Sequence, residues 1–302
     1  IPNTVTKIEY GAISGCSGLT SVTIPNSVTT IGGSAIYGCT GLTSVTIGRG
    51  VDSIGDDAFK NFGIFDSIMF NADSCVFAGS GWFDHNVFSD CNYFTFGENV
   101  KVIPAYLCSG MSSLTSIIIP NTVVSIGNNA FSNSGLISVF FNVDICGNVY
   151  YSSYDSPFYY CHNITNFTFG DSVKIIPNYL CSGLSNLSYV TIGKNVRRIN
   201  SAFGGCTGLT TVMFNADSCV YGNLGYGCTN ITNFVFGNNV KMIPPGICSG
   251  QDSLTSIIIP DSVTVISSNA FQNCSNLSNI DIPNSVTRIG NSAFENCISL
   301  TY

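Results

Sequence analysis

Residues 24–46 read IPNSVTTIGGSAIYGCTGLTSVT, and the phrase returns in worn form along the whole 302-residue chain. The unit restarts at Ile1, Ile24, Ile47, Phe70, Phe96, Ile119, Phe141, Phe169, Ile192, Phe214, Phe236, Ile259 and Ile282, in steps of 22 to 28 residues. So regular a period marks a repeat architecture, and it outweighs the two-domain expectation that length alone would give. Each unit closes on an apolar triplet such as Leu19, Val22 and Ile24, or Leu254, Ile257 and Ile259. The two-residue step from Val22 to Ile24 is a strand step, and the Ser and Thr around it suit a strand with one wet face. Pro25-Asn26-Ser27 is a turn signal. Val28 and Ile31 form a second apolar pair, and a small, turn-rich segment carrying an Ala-Phe pair such as Ala202-Phe203 completes the coil.

A coil of this size cannot bury its apolar residues alone. Stacked coils line equivalent residues up into continuous internal columns. With strands about 4.8 Å apart, thirteen coils make one solenoid domain over residues 1–302, about 60 Å long. Short parallel strands are expected on one side, with turns and short helical segments on the other. The chain opens inside a repeat and stops as another strand begins, so it reads as an excerpt of a longer protein.

Composition narrows the function. Only 9% of residues are charged against 45% hydrophobic, which describes a polar but uncharged surface. A net charge of −7 argues against nucleic acid, whose phosphates demand clustered Lys and Arg. Lys101, Lys174 and Lys241 share one slot in related coils and read as a solvated face. No run of 18 apolar residues is present, so this segment inserts in no membrane.

Fourteen cysteines suggest disulfides or metal until their positions are compared. Three residues before each leading strand residue, the slot reads Cys16, Cys39, Phe62, Phe88, Met111, Asn133, Cys161, Leu184, Cys206, Cys228, Gln251, Cys274 and Cys297. Cys alternates there with Phe, Met and Leu, as a small hydrophobe does in a core column. Cys108, Cys181 and Cys248 take the place of the Phe of Ala-Phe coils, and Cys75, Cys146 and Cys219 share a third slot. The spacings match no zinc template. Mostly free, buried thiols follow, with no metal site and no cofactor.

The coils fall into blocks of three. Coils beginning FN, at Phe70, Phe141 and Phe214, precede coils beginning FG, at Phe96, Phe169 and Phe236. Plainer coils follow at Ile119, Ile192 and Ile259. The first two FN coils carry extra aromatic length, with Trp82 and Phe83 in one and Tyr150, Tyr151 and Tyr154 in the other. Insertions in solenoids map to loops on one side, often the binding side, and exposed aromatics anchor proteins and sugar faces. The alternative is that these loops fold back and cover themselves. The wet strand positions offer a second surface, where Met69, Tyr93, Ile118, Phe140, Tyr189, Met213, Val235 and Ile258 replace Ser or Thr. An apolar run there marks an interaction site, or a face buried by its own curvature.

Catalytic constellations are missing from the pattern. The two histidines are His85 and His162, and Cys161 beside His162 belongs to the core column. Asp73, Asp144 and Asp217 recur three coils apart and cannot converge on one bond as glycosidase carboxylates must.

The motif IPNSVTxIGxxAFxxCxxLTSVxIP, clearest from Ile24 and from Ile259 to Leu300, resembles the BspA-type leucine-rich repeat. The resemblance covers essentially the whole chain, although the FN coils lack its Pro and Ala-Phe pair. It implies a right-handed leucine-rich-repeat solenoid, mainly β or α/β, without catalytic residues. It further implies an extracellular or cell-surface protein that adheres to a host matrix protein, a cell-surface protein or a glycan. The expected role is therefore a non-enzymatic binding module. Its candidate ligand residues are Trp82, Phe83, Tyr93, Phe140, Tyr150, Tyr151, Tyr154, Tyr189 and Met213. A structural spacer or stalk with no ligand is the alternative, and a carbohydrate-active enzyme the remote one.

Overall fold

A computed structural model describes residues 1–79, 87–146, 150 and 152–301. The chain is a parallel β-solenoid with twelve strands in its long-strand series, from Ser21–Thr23 to Asn279–Asp281. The first counted repeat start, Ile1, lies in no strand. Two compact units form: Ile1–Val139 with Cys146–Asn148 and Tyr154–Cys161, and Phe140–Ile145 with Val149–Ser153 and His162–Tyr302.

In the first unit, Ser21–Thr23, Ser44–Ile47, Phe65–Phe70 and Cys91–Phe96 pair in parallel, each strand with the next coil's. In the second, Asn166–Phe169, Tyr189–Ile192, Thr211–Phe214 and Asn233–Phe236 do the same. Their burial alternates because side chains along a strand point to opposite faces. Ile47, Phe70, Phe141, Ile192 and Phe214 are fully enclosed, and the Ser and Thr between them face outward.

The far side differs from expectation. The second apolar pair of each coil forms a second short ladder rather than helix. Lys7–Ile8, Thr30–Ile31, Ser53–Ile54 and Phe77–Ala78 stack in one unit, and Ile175–Ile176, Arg198–Asn200 and Tyr221–Asn223 in the other. Among the described residues the helical element is the single 3-10 turn Ser153–Asp155. Helix is blocked because each coil turns through left-handed residues. Ser34, Asp57, Asn129, Ser201 and Asn269 occupy one such slot, and Gly38, Gly110, Gly205 and Asn273 the next. Asn and Gly suit this region.

The core column stands with corrections at Asn133, Cys16, Phe62 and the half-buried Cys297. Cys39, Cys161, Cys206 and Cys274 are enclosed, as is Phe59. Asn133, however, is exposed, and Ser134 takes its place inside, 3.4 Å from the Cys161 thiol. That coil is one residue short between Ser134 and Leu136, so counting back from the strand lands on the left-handed turn residue instead. Cys16 is exposed and Phe62 half-buried. Among the described residues no cysteine is in a disulfide. Burial pushes the thiols of Cys75, Cys91 and Cys274 up to about 12.

Candidate functional site

The strand registers sort the outward residues into two files. In the first unit these are Ser21, Ser44, Ser67, Tyr93 and Thr23, Thr46, Met69, Thr95. In the second unit they are Asn166, Tyr189, Thr211, Asn233 and Thr168, Thr191, Met213, Val235. Tyr93 and Tyr189 therefore share a slot, and Met69 and Met213 share the other. Tyr93 is 70% exposed and Ile118 65%, while Ile258 reaches 83%. Phe140 and Tyr189 are partly exposed, and Met213 and Val235 half-buried. The apolar residues are open to solvent rather than folded under.

The long ladder is interrupted at two equivalent places. No rung joins Cys91–Phe96 to Ser116–Ile119, nor Asn233–Phe236 to Ser256–Ile258, although both are steps from an FG coil to a plain coil. A cleft of about 270 Å³ opens at the first, lined by Tyr93, Phe94, Phe96, Ile118 and Pro120. One of about 320 Å³ opens at the second, lined by Phe234, Val235, Phe236, Ile258 and Pro260. The third such step, Asn166–Phe169 to Tyr189–Ile192, is closed by three rungs.

The residue after the strand explains the difference. It is Pro120 or Pro260 at the open steps and Gly193 at the closed one. Coils at this level approach so closely that a Cβ on Gly193 would lie 2.5 Å from the Gly170 carbonyl oxygen. Proline lacks the N–H that Gly97, Asn215 and Gly237 donate here to Phe70, Ile192 and Phe214; a Cβ alone does not open the step, since Asn215 carries one where the ladder is closed. At Pro283 the ladder persists: Ser256–Ile258 and Asn279–Asp281 share three rungs, and a cleft of about 510 Å³ begins beyond Ile258↔Asp281. Opening leaves the phenylalanine floor touched by solvent. Phe94, Phe96, Phe234 and Phe236 are 4–8% exposed, whereas Phe167 and Phe169 at the closed step are 0–1%. The sequence displayed these prolines, but as turn formers; their effect on the neighbouring coil needs the stacked geometry.

The aromatic insertions divide. Trp82, Phe83, Tyr151 and His85 lie outside the described residues. Tyr150 is enclosed, with its ring 1% exposed, which corrects its placement on a surface: an aromatic at a coil edge gains most by burying its area. Tyr154 is exposed and packs edge-on against Tyr159 at 5.4 Å, and Tyr160 lies 4.0 Å from Tyr159. Phe158 is drawn inward and stacks on Phe131 at 5.3 Å.

Chemistry-bearing groups do not gather. The Cys161 thiol is enclosed and donates to the Phe131 carbonyl at 2.9 Å. Burial raises it above its ordinary value, opposite to what a nucleophile needs. Among the described residues no three of His, Cys, Asp and Glu are arranged to hold a metal. Nor, among them, is any helix long and apolar enough to cross a membrane. Lys174 pairs with Asp144 at 2.8 Å, consistent with a solvated ion pair.

The BspA type Leucine rich repeat region matches residues 1–86, 81–210, 152–275 and 241–302, in six copies. The chain belongs to the BspA-type leucine-rich repeat family. No curated protein matches the sequence. Among solved structures, a leucine-rich repeat protein from Bacteroides ovatus is similar at 23% identity over 98% of this chain and 81% of its own, with TM-score 0.47. A leucine rich cell surface protein from Faecalibacterium prausnitzii is similar at 24% identity over 98% and 82%, with TM-score 0.37. The pneumococcal vaccine antigen PcpA shares 18% identity over 95% and 84%, with TM-score 0.37.

Proposed function

We propose that this BspA-type solenoid is a non-enzymatic, cell-surface or secreted binding module. Its ligand is a host matrix protein, a cell-surface protein or a glycan, held on the long-strand face. The observation that carries this reading is the repeated cleft. Two clefts sit at equivalent steps of duplicated blocks, each with exposed aliphatic or aromatic side chains beside a phenylalanine floor. Exposed apolar surface costs solubility and marks an interaction site when contiguous. Tyr93 with Ile118 in one unit, and Val235 with Ile258 in the other, are the proposed anchors. Phe140, Tyr189 and Met213 are further outward contacts on that face. Anchors of this type carry most of the energy of an interface.

Surface or secreted placement fits the family and the description of the Faecalibacterium protein. A matrix-protein and glycan array finds the partner, and the double variant Tyr93→Ser, Ile118→Ser tests the site. The expected result is a loss of about ten-fold or more in affinity without loss of fold. Full affinity in that variant and in Val235→Ser, Ile258→Ser removes the strand face from the site.

A further inference from the structure

The third FN coil and its neighbour depart from their two sister blocks at one place, and a cavity of about 430 Å³ opens there. Three sequence changes converge on it. First, the FN coil runs CVYGNLGYGC over residues 219–228, without the extra length at 75–91 and 146–161. Tyr226 is left 97% exposed, with Tyr221 exposed beside it. Second, a left-handed turn slot holds Tyr106 (φ 60°) and Tyr179 (φ 59°) in the sister coils but Gly246 (φ 67°) here. The ring is gone while the backbone keeps its conformation. Third, the core-column slot that holds Met111 and Leu184 holds Gln251, also buried. Its Nε2 donates to the Cys228 carbonyl, and its buried Oε1 accepts no hydrogen bond among the described residues. An unmatched amide in an apolar column destabilises a fold. The sister coils show that the fold requires none of these three residues.

We propose that this cavity binds a neutral sugar residue of a glycan. No side chain lining it is charged; the Arg198 guanidinium lies 5.8 Å over the Tyr221 ring and takes one of its faces, so the acidic probes below test whether that charge selects the ligand. Tyr221 and Tyr226 supply flat apolar faces with polar rims, which suit the C–H face and edge of a pyranose. Asn223 Oδ1 accepts from the Gly225 N–H at 2.9 Å, which leaves Nδ2 as a donor to a sugar hydroxyl. Gln251 Oε1 is unmatched and enclosed, so it adds polarity behind the lining rather than a contact. The volume lies in the range of small-ligand pockets. The inference builds on the binding role proposed above and narrows it to glycan, at a site distinct from the strand-face clefts.

Calorimetric titration with neutral tetrasaccharides built from glucose, galactose or mannose tests it, with sialylated and sulfated oligosaccharides and an apolar peptide as comparison probes. Gly246→Tyr and Gln251→Leu place in the cavity residues of the kind the sister coils carry, so both variants keep the fold. The expected result is binding of one neutral class, weakened about ten-fold or more by each variant and unchanged by Tyr93→Ser. Several results overturn the proposal: no neutral oligosaccharide bound at millimolar concentration, full affinity retained by both variants, or preference for the acidic or peptide probes. Loss of sugar binding in Tyr93→Ser with retention in Gly246→Tyr overturns it too, and leaves the strand-face site standing.

Discussion

Gly193→Ala is the substitution whose cost the geometry defines best. Gly193 follows the strand Tyr189–Ile192 at the FG-to-plain step where the ladder stays closed. Its φ lies outside the left-handed region, so backbone strain adds nothing. The added Cβ would sit 2.5 Å from the Gly170 carbonyl oxygen and 2.7 Å from that of Phe169, where ordinary contact begins at 3.4 Å. The coil must therefore retreat by about 0.7–0.9 Å, and the obstacle is backbone, which cannot swing aside. A retreat of that size carries an N···O distance of about 2.9 Å beyond hydrogen-bond reach. Three rungs, Asn166↔Tyr189, Phe167↔Val190 and Thr168↔Thr191, are at stake. At about 1 kcal/mol net per bond, losing one or two and loosening the packing costs about 2–3 kcal/mol. Over 302 residues that corresponds to a fall of roughly 3–5 °C in Tm. Urea and thermal unfolding followed by circular dichroism measure it. Gly18→Ala serves as the control, because its Cβ meets nothing within 4 Å. A Gly193→Ala protein within about 0.5 kcal/mol of the parent, the scatter of ordinary surface substitutions, refutes the close-approach argument.

Thiol labelling of the folded chain at pH 8 should modify Cys16 quickly and leave Cys39, Cys108, Cys181 and Cys248 untouched until denaturant is added, because the first is exposed and the others are enclosed. Rapid labelling of Cys181 in the folded state, mapped by mass spectrometry, contradicts the buried column. Stability should also fall in alkali. Burial raises Cys75, Cys91 and Cys274 from 9.0 to about 12 in the folded chain, so their contribution is complete below pH 9 and is lost as pH rises through 12. Urea midpoints taken from pH 8 to 11 should be level at first and then decline. The decline should be shallower in Cys75→Ala and Cys274→Ala, and equal slopes in all three proteins rule out the thiols as its source.

The column was legible because the period places Cys39 and Cys206 in one slot and Phe59 in the Ala-Phe slot beside it, and stacking then encloses them whatever the local conformation. Asn133 was misplaced because a one-residue deletion lies inside its coil, where counting from the strand cannot detect it. The second ladder was hidden because two-residue strands such as Thr30–Ile31 carry no alternation of their own; only the neighbouring coil makes them strands. The clefts were invisible for a related reason. Pro120 and Pro260 are ordinary turn residues within their own coils and act on the coil before through a missing donor. The strand-face residues Tyr93, Ile118 and Ile258 were readable as apolar residues in wet positions, while Tyr150 followed the burial that aromatic area favours. Gln251 was visible in its slot, but the cavity beside it depended on Gly246 and Tyr226, which meet it only through stacking.

The central claim is that coils stack through a shared ladder that opens at the two FG-to-plain steps where Pro120 and Pro260 stand. Hydrogen–deuterium exchange resolved by segment tests it directly. Amides in Tyr189–Ile192 and Thr211–Phe214, paired on both sides, should exchange slowly, and those in Ser116–Ile119 and Ser256–Ile258, each beside an open step, distinctly faster. Equal protection across all four strands would contradict it.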